Sequence, residues 1–403
     1  MNKEKFTLFV TDKRFLLGVW VLVTLVCCLL KYGRDPYIVL NNFTIFCSSF
    51  RHALELLPLY AEYPAEHHDV FLYGIAFTPV IAPFTLFPKF IGNIIWCLAN
   101  SAVLFFALQA LKLKPWQFAF IILVSANELF TTTMQQQFNP SICALVVLSY
   151  VCIDCKKEFW AACFIMLGAM SKVYGIVGLA FFFFAKRPLV LIASLILWGT
   201  FFFLLPMAYT SPEYVINGYS AWMNALLSKN ALNLFTDYTN ISLLGMVRKI
   251  SGCTTYSDLW LILPGLLLFA APYLRIRQYK SRIFRLLFLC STLLFMVLFS
   301  TGTESYGYIT AMVAVCIWYV ITPTRKRTPW LNTGLLVFCF LLTSLSPTDV
   351  FPAFIRKTYV IPYALKALPC VLIWGKILYE QLTLDFIAPE TSGEDQKCTA
   401  SPS

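Results

Sequence analysis

Charge is what this sequence has least of. Its 403 residues hold 20 Asp and Glu and 31 Lys and Arg, 13% in all, against roughly 25% in a soluble globular domain. That shortage, beside 59% hydrophobic residues, excludes a water-soluble fold, because so apolar a chain would expose more apolar surface than water tolerates. Period-2 alternation is also missing from the long apolar runs, which excludes a transmembrane barrel. Cysteine is not scarce, at 14, but it follows no disulfide spacing. The lone Cys152-x-x-Cys155 has no second pair for zinc, so most cysteines read as small buried apolar residues.

What is present is a series of apolar runs approaching the ~20 residues that cross a bilayer as a helix. Lipid leaves no other way to satisfy the backbone. The expected fold is therefore all-α and polytopic, with about 11–13 transmembrane or re-entrant helices. The net charge of +11 reads as membrane topology, since basic residues cluster between spans. No basic patch interleaved with aromatics suggests nucleic acid.

Met1–Arg14 is basic and is expected in the cytoplasm. Phe15–Leu30 lacks a cleavage site and reads as a signal anchor. A long first outer loop, 31–69, follows, with an amphipathic helix indicated by Phe43, Ile45, Phe46, Phe50, Ala53, Leu54 and Leu57. Segment 70–88 carries Pro79, Pro83 and Pro88 and is expected to be re-entrant or surface-lying. Spans follow near 91–111, 116–132 and 141–151. Phe159–Phe184 is too long for one span and reads as a hairpin with Lys172 at its apex. Further spans are expected near 189–209, 259–274, 283–300, 306–321, 331–345 and 359–378, with a second outer loop at 210–258. The membrane domain thus covers 1–387, and 388–403 is a polar, disordered cytoplasmic tail. This topology puts both long loops on the outer face. A rival topology, with 70–87 a full span and the N-terminus outside, would separate them.

Four features gather on that outer face: the acidic segment Tyr63–Asp69, the polar run Met134–Ser141, Lys172, and the Gly-bounded loop Thr301–Tyr308. An ionisable group at membrane depth costs several kcal/mol, so it is functional or paired by default. Lys172 suits a lipid phosphate; its plain alternative is snorkelling to the interface. Glu66 and Asp69 are candidates for a general base, or else part of a solvated acidic loop. His67 and His68 beside them make a divalent cation an open cofactor question, with no metal site assigned. Gln137 and Asn139 suit sugar hydroxyls, or simply start a helix before Pro140. Glu304 is either a site residue or a helix cap.

The stretches NNFTIFCSSFRH (Asn41–His52), LYAEYPAEHHDVFLYGIAFTPVIAPF (Leu59–Phe84), QQFNPSICALVVLSYV (Gln136–Val151), FWAACFIMLGAMSKVYGIVGLAFFFF (Phe159–Phe184) and TESYGYITAMVA (Thr303–Ala314) resemble the GT-C superfamily of membrane glycosyltransferases. In order and spacing they are similar to glycosyltransferase family 87, the polyprenol-phosphate-mannose-dependent mannosyltransferases. The resemblance implies an inverting hexosyl transfer, with mannose as the sugar. The donor would be a polyprenyl-phosphate sugar, and the acceptor an envelope or lipid-linked glycan. The site would face outward from the bacterial cytoplasmic membrane. It also implies an acidic base in the first outer loop, where this sequence has Asn42. An amide cannot take the proton as a carboxylate does, so either Asp69, Glu66 or Asp35 takes the role, Asp69 first and Glu66 second, or the protein is not a standard transferase. Lys172 falls in the family's lipid-phosphate region, and Asn42, His67, Gln137, Asn139 and Glu304 become substrate-binding candidates. A lipid-linked sugar transporter, a non-catalytic assembly subunit and an oligosaccharide polymerase or ligase are the competing functions.

Overall fold

The computed structural model describes residues 3–387 apart from 235, 254 and 322–328, with side chains from residue 7 onward. The expected cytoplasmic tail and the basic cluster Arg325, Lys326 and Arg327 lie outside the described residues. Everything regular within them is helical, with no strand.

Helix starts follow local chemistry. Asp12 caps the helix Lys13–Leu29 by accepting from the backbone N–H of Arg14 and Phe15. Proline opens the helices Pro115–Met134, Pro188–Leu204 and Pro212–Asn233, where its missing N–H would go unused anyway. Helices Lys89–Ala110 and Pro188–Ala208 are long and apolar enough to cross a membrane. Shorter apolar helices pack around them, including Asn139–Asp154, Glu158–Ser171 and Ser305–Ile321. The centre is formed by Arg282–Leu298 and Ile309–Ile321, whose side chains are almost all buried. The outside is the reverse of a soluble protein. Ile196, Trp260 and Leu267 are 67%, 77% and 73% exposed, on helices whose other faces are also apolar. Such a surface fits lipid rather than water.

The expected hairpin forms. Helix Glu158–Ser171 turns at Lys172 into a tightly wound 3-10 segment, Val173–Phe184. At about 2.0 Å rise per residue, that winding reaches further per residue than an α-helix. Gly168 and Gly175 bring the arms into backbone contact: a Cβ on Gly175 would sit 2.2 Å from the carbonyl carbon of Gly168. The proline-rich stretch is broken into the short turns Ile75–Phe77, Thr78–Ile81 and Ala82–Leu86. Ile75, Phe77 and Ile81 are fully buried, and Gly74 N–H donates to Ser171 O at 2.9 Å, so the stretch ends at the hairpin apex. The amphipathic helix is Asn41–Leu54. Protein, not lipid, covers its apolar face: the Phe46 ring lies 5.1 Å from Phe77 and 5.8 Å from Trp96.

The two long loops meet. Trp222, on Pro212–Asn233, donates to Leu72 O at 2.8 Å, and Tyr214 donates to Leu57 O at 2.6 Å. The other end of the bundle is basic, with Arg187 paired to Glu158 and Arg285 to Asp154.

One expected span is different. Residues 359–378 are not a single helix: Ala353–Val360 and Leu365–Thr383 meet at 95°. Pro362 supplies no N–H at the break, and Ala364 sits in the left-handed region at φ 52°. Sequence hydropathy registers the apolar run but not the bend.

Candidate active site

Lys172 stands where four segments converge. Its own N–H closes the preceding helix on Gly168 O at 2.8 Å, and its extended backbone throws the side chain inward. The ammonium donates to Asn139 Oδ1 at 2.8 Å and to Tyr73 Oη at 3.3 Å. It also lies 5.0 Å and 5.4 Å from the ring centroids of Tyr73 and Tyr174. Tyr73 in turn donates to Gln137 Oε1 at 3.2 Å, and Asn139 Nδ2 donates to Tyr306 O at 3.4 Å. All these partners are neutral. Among the described residues no carboxylate comes within ion-pair distance of Lys172. A partly buried ammonium so placed lacks a counter-charge, and an anion entering the site would supply it.

The space beside it is a small, partly open chamber lined by Asn139, Lys172, Tyr174, Glu304, Tyr306 and Thr310 together with the apolar Ile142, Met296 and Val297. Glu304 enters from the loop before Ser305–Tyr308. Its carboxylate has no hydrogen-bond or ion-pair partner among the described residues. Removal from water pushes its pKa up to about 7, with Lys172 and Lys229 pulling the other way and Asp69 adding to the rise.

Asp69 is half exposed, with Lys229 Nζ 3.0 Å from each of its oxygens, and its charge acts on Glu304. Lys229 comes from the second long loop, as does Asn230, which accepts a hydrogen bond from Thr301 next to the Glu304 loop. The structure thus brings Lys172, Asn139 and Glu304 together on one opening, with Gln137 joined to Lys172 through Tyr73 and the Asp69 charge felt by Glu304.

The remaining candidates lie to the side. Glu66 accepts from Ser48 at 2.8 Å, from Arg51, and from His52 at 3.4 Å. Burial works to raise its pKa, but the bonds from Ser48 and His52 and the Arg51 charge outweigh it and bring the carboxyl down. Asn42 donates to Gln135 O at 2.9 Å, fastening its helix to the turn after Pro115–Met134. His67 is buried with Nδ1 unpartnered, and burial pulls its pKa down. The ring of His68 rests on Tyr37, 4.0 Å away. Among the described residues no three His, Cys, Asp or Glu side chains converge as cation ligands.

Sequence reasoning missed three participants. Tyr73 looked like one aromatic among many, and Lys229 like a loop charge. The third is Glu128, fully buried, whose Oε1 lies 3.2 Å from Nζ of the 4%-exposed Lys366. Lys366 also donates to Ser305 O at 2.9 Å and Ser305 Oγ at 3.0 Å, fixing the turn that follows Glu304. A single acid inside an apolar span was the available signal for Glu128.

A family model, glycosyltransferase family 87, matches residues 71–301, more than half of the chain. The matched range includes Tyr73, Gln137, Asn139, Lys172 and Lys229 and leaves out Glu66, Asp69 and Glu304. No curated protein matches the chain.

Proposed function

The chain belongs to glycosyltransferase family 87, and on that premise we propose that it moves a hexose, mannose first, from a polyprenyl-phosphate carrier to an envelope or lipid-linked glycan. The transfer would take place on the outer face of the bacterial cytoplasmic membrane, with inversion at the anomeric carbon. The observation that carries this proposal is the Lys172 ammonium, aimed into a chamber with only neutral partners. A lipid phosphate supplies the missing anion, and the ammonium then stabilises charge on the departing phosphate. Tyr73, Gln137 and Asn139 hold Lys172 in place and orient the sugar.

Asp69 is our choice for the base that takes the acceptor's proton. It is half exposed while paired with Lys229, whereas the oxygens of Glu66 are engaged by Ser48, Arg51 and His52. Glu66 is the second choice, and Asn42 and His67 support the loop that carries both.

The test is sugar transfer in purified membranes from labelled mannosyl-phospho-polyprenol, with Lys172→Ala as the paired control. Transfer that requires Lys172 supports the proposal. No transfer from mannosyl, glucosyl or arabinosyl carriers would favour a transporter or an assembly subunit instead.

A further inference from the structure

We infer that Glu304 is the general acid of this transfer, giving its proton to the phosphate as that group leaves the sugar; the inference rests on the donor assignment above. Glu304 and Lys172 line the same chamber, so a phosphate drawn to the ammonium comes to rest beside the carboxyl. An ionised Glu304 would repel that phosphate, whereas a protonated one offers it a hydrogen bond. The side chain is free to do so, having no protein partner among the described residues.

The two carboxyl groups sit in contrasting surroundings, the condition under which one fold can run acid and base chemistry together. Asp69 is ion-paired with Lys229 at 3.0 Å and suits the base. Glu304 is withdrawn from water, and its carboxyl is pushed up to about 7, so near neutral pH it still carries a proton to give. The groups that act on it are Lys172, Tyr73 and Tyr174 on the chamber side, and Lys229 and Asp69. Neither lysine approaches within ion-pair distance. An arriving phosphate adds negative charge and strengthens protonation.

The step balances. The bond between the anomeric carbon and the phosphate oxygen breaks, and its electron pair stays on that oxygen. The Glu304 proton moves to a phosphate oxygen, leaving Glu304 a carboxylate and the carrier a singly charged phosphate monoester. The acceptor oxygen forms the new bond to the anomeric carbon and loses its proton to Asp69. Solvent then returns one proton from Asp69 to Glu304. The second ionisation of a phosphate monoester lies near 6, close enough to Glu304 for efficient transfer.

Two measurements test this. The first is kcat against pH at saturating donor. Wild type should lose activity about tenfold per pH unit above a limb near 7 to 8. Glu304→Gln should lack that limb and run roughly 100-fold slower, and Asp69→Asn should keep the limb at its reduced rate. The second is calorimetry of short-chain polyprenyl phosphate binding near pH 7, in two buffers of different ionisation enthalpy. Wild type should take up protons on binding, and Glu304→Gln, checked for a single cooperative unfolding transition, should not. Equal proton uptake by the two proteins, or a Glu304→Gln enzyme that keeps both limb and rate, overturns the inference alone. No binding of the lipid phosphate by wild type overturns the donor assignment and this inference with it.

Discussion

Asp69 and Lys229 stand 160 residues apart in sequence and meet at 3.0 Å, joining the two long loops. An exposed ion pair of this kind contributes only about 0–1 kcal/mol to stability. Lys229→Ala should therefore leave thermal unfolding almost unchanged while lowering kcat. Asp69→Asn should lower kcat by about 10²–10⁴-fold. The swapped pair Asp69→Lys with Lys229→Asp should restore the contact without restoring transfer; recovery of full activity in the swap would reduce Asp69 to a tether.

Lys172→Met keeps the length and apolar bulk of the stem and removes the charge. We expect kcat/KM to fall by about 10²–10³-fold, the range for losing one preorganised charge-stabilising donor, with undiminished protein in the membrane. Unchanged turnover would take Lys172 out of the mechanism.

How far the sequence discloses this site depends on whether a residue's partner is near or far along the chain. Lys172 is legible because it interrupts a long apolar run, and nothing else about its surroundings is needed to notice it. Glu304 is legible from the glycines around its loop, which mark a turn between spans. Glu128 and Lys366 each interrupt an apolar segment too, but their meaning is their pairing, and no local pattern links positions on different spans. The bend at 361–364 falls at Pro362 and the left-handed Ala364, backbone features that hydropathy does not weigh, so hydropathy alone returns a straight span there. Asp69 can be picked out as an acid in a polar loop; its engagement by Lys229 cannot.

Glu128→Ala should destabilise the protein by about 3–5 kcal/mol, since it leaves the Lys366 ammonium buried without its counter-charge. The paired change Glu128→Gln with Lys366→Met removes both charges and should recover most of that loss. Thermal unfolding in detergent reads both. If the single change has no effect on unfolding, the ion pair does not hold the Ser305 turn.

The Glu304 carboxyl also makes stability depend on pH. Its folded value, about 7, lies above the ordinary 4.5, so the folded protein binds this proton more tightly than the unfolded chain does. The stabilising contribution is complete below about 4.5 and is lost as pH rises through about 7. Wild type should therefore lose stability relative to Glu304→Gln between those values. Parallel stability curves across that window would contradict the burial that raises the group.

Gly175→Ala places a methyl group 2.2 Å from the Gly168 carbonyl carbon. Overpacking costs about 1–3 kcal/mol, and here the strain falls at the base of the turn that aims Lys172. Donor affinity should drop together with stability. A variant with normal unfolding and normal KM would show that the arms part without disturbing the apex.

Glu128 and Lys366 are separated by 238 positions, which has a consequence for biogenesis. The ribosome delivers the acid long before the base that satisfies it. While the intervening chain is being made, the helix Pro115–Met134 must wait in the translocon or the bilayer with an uncompensated carboxyl. Its final seating then comes only when the bent helix pair Ala353–Val360 and Leu365–Thr383 arrives. Nascent chains released before Lys366 should be held by insertion chaperones or degraded, which makes completion of the last helix a quality checkpoint for the first half of the protein.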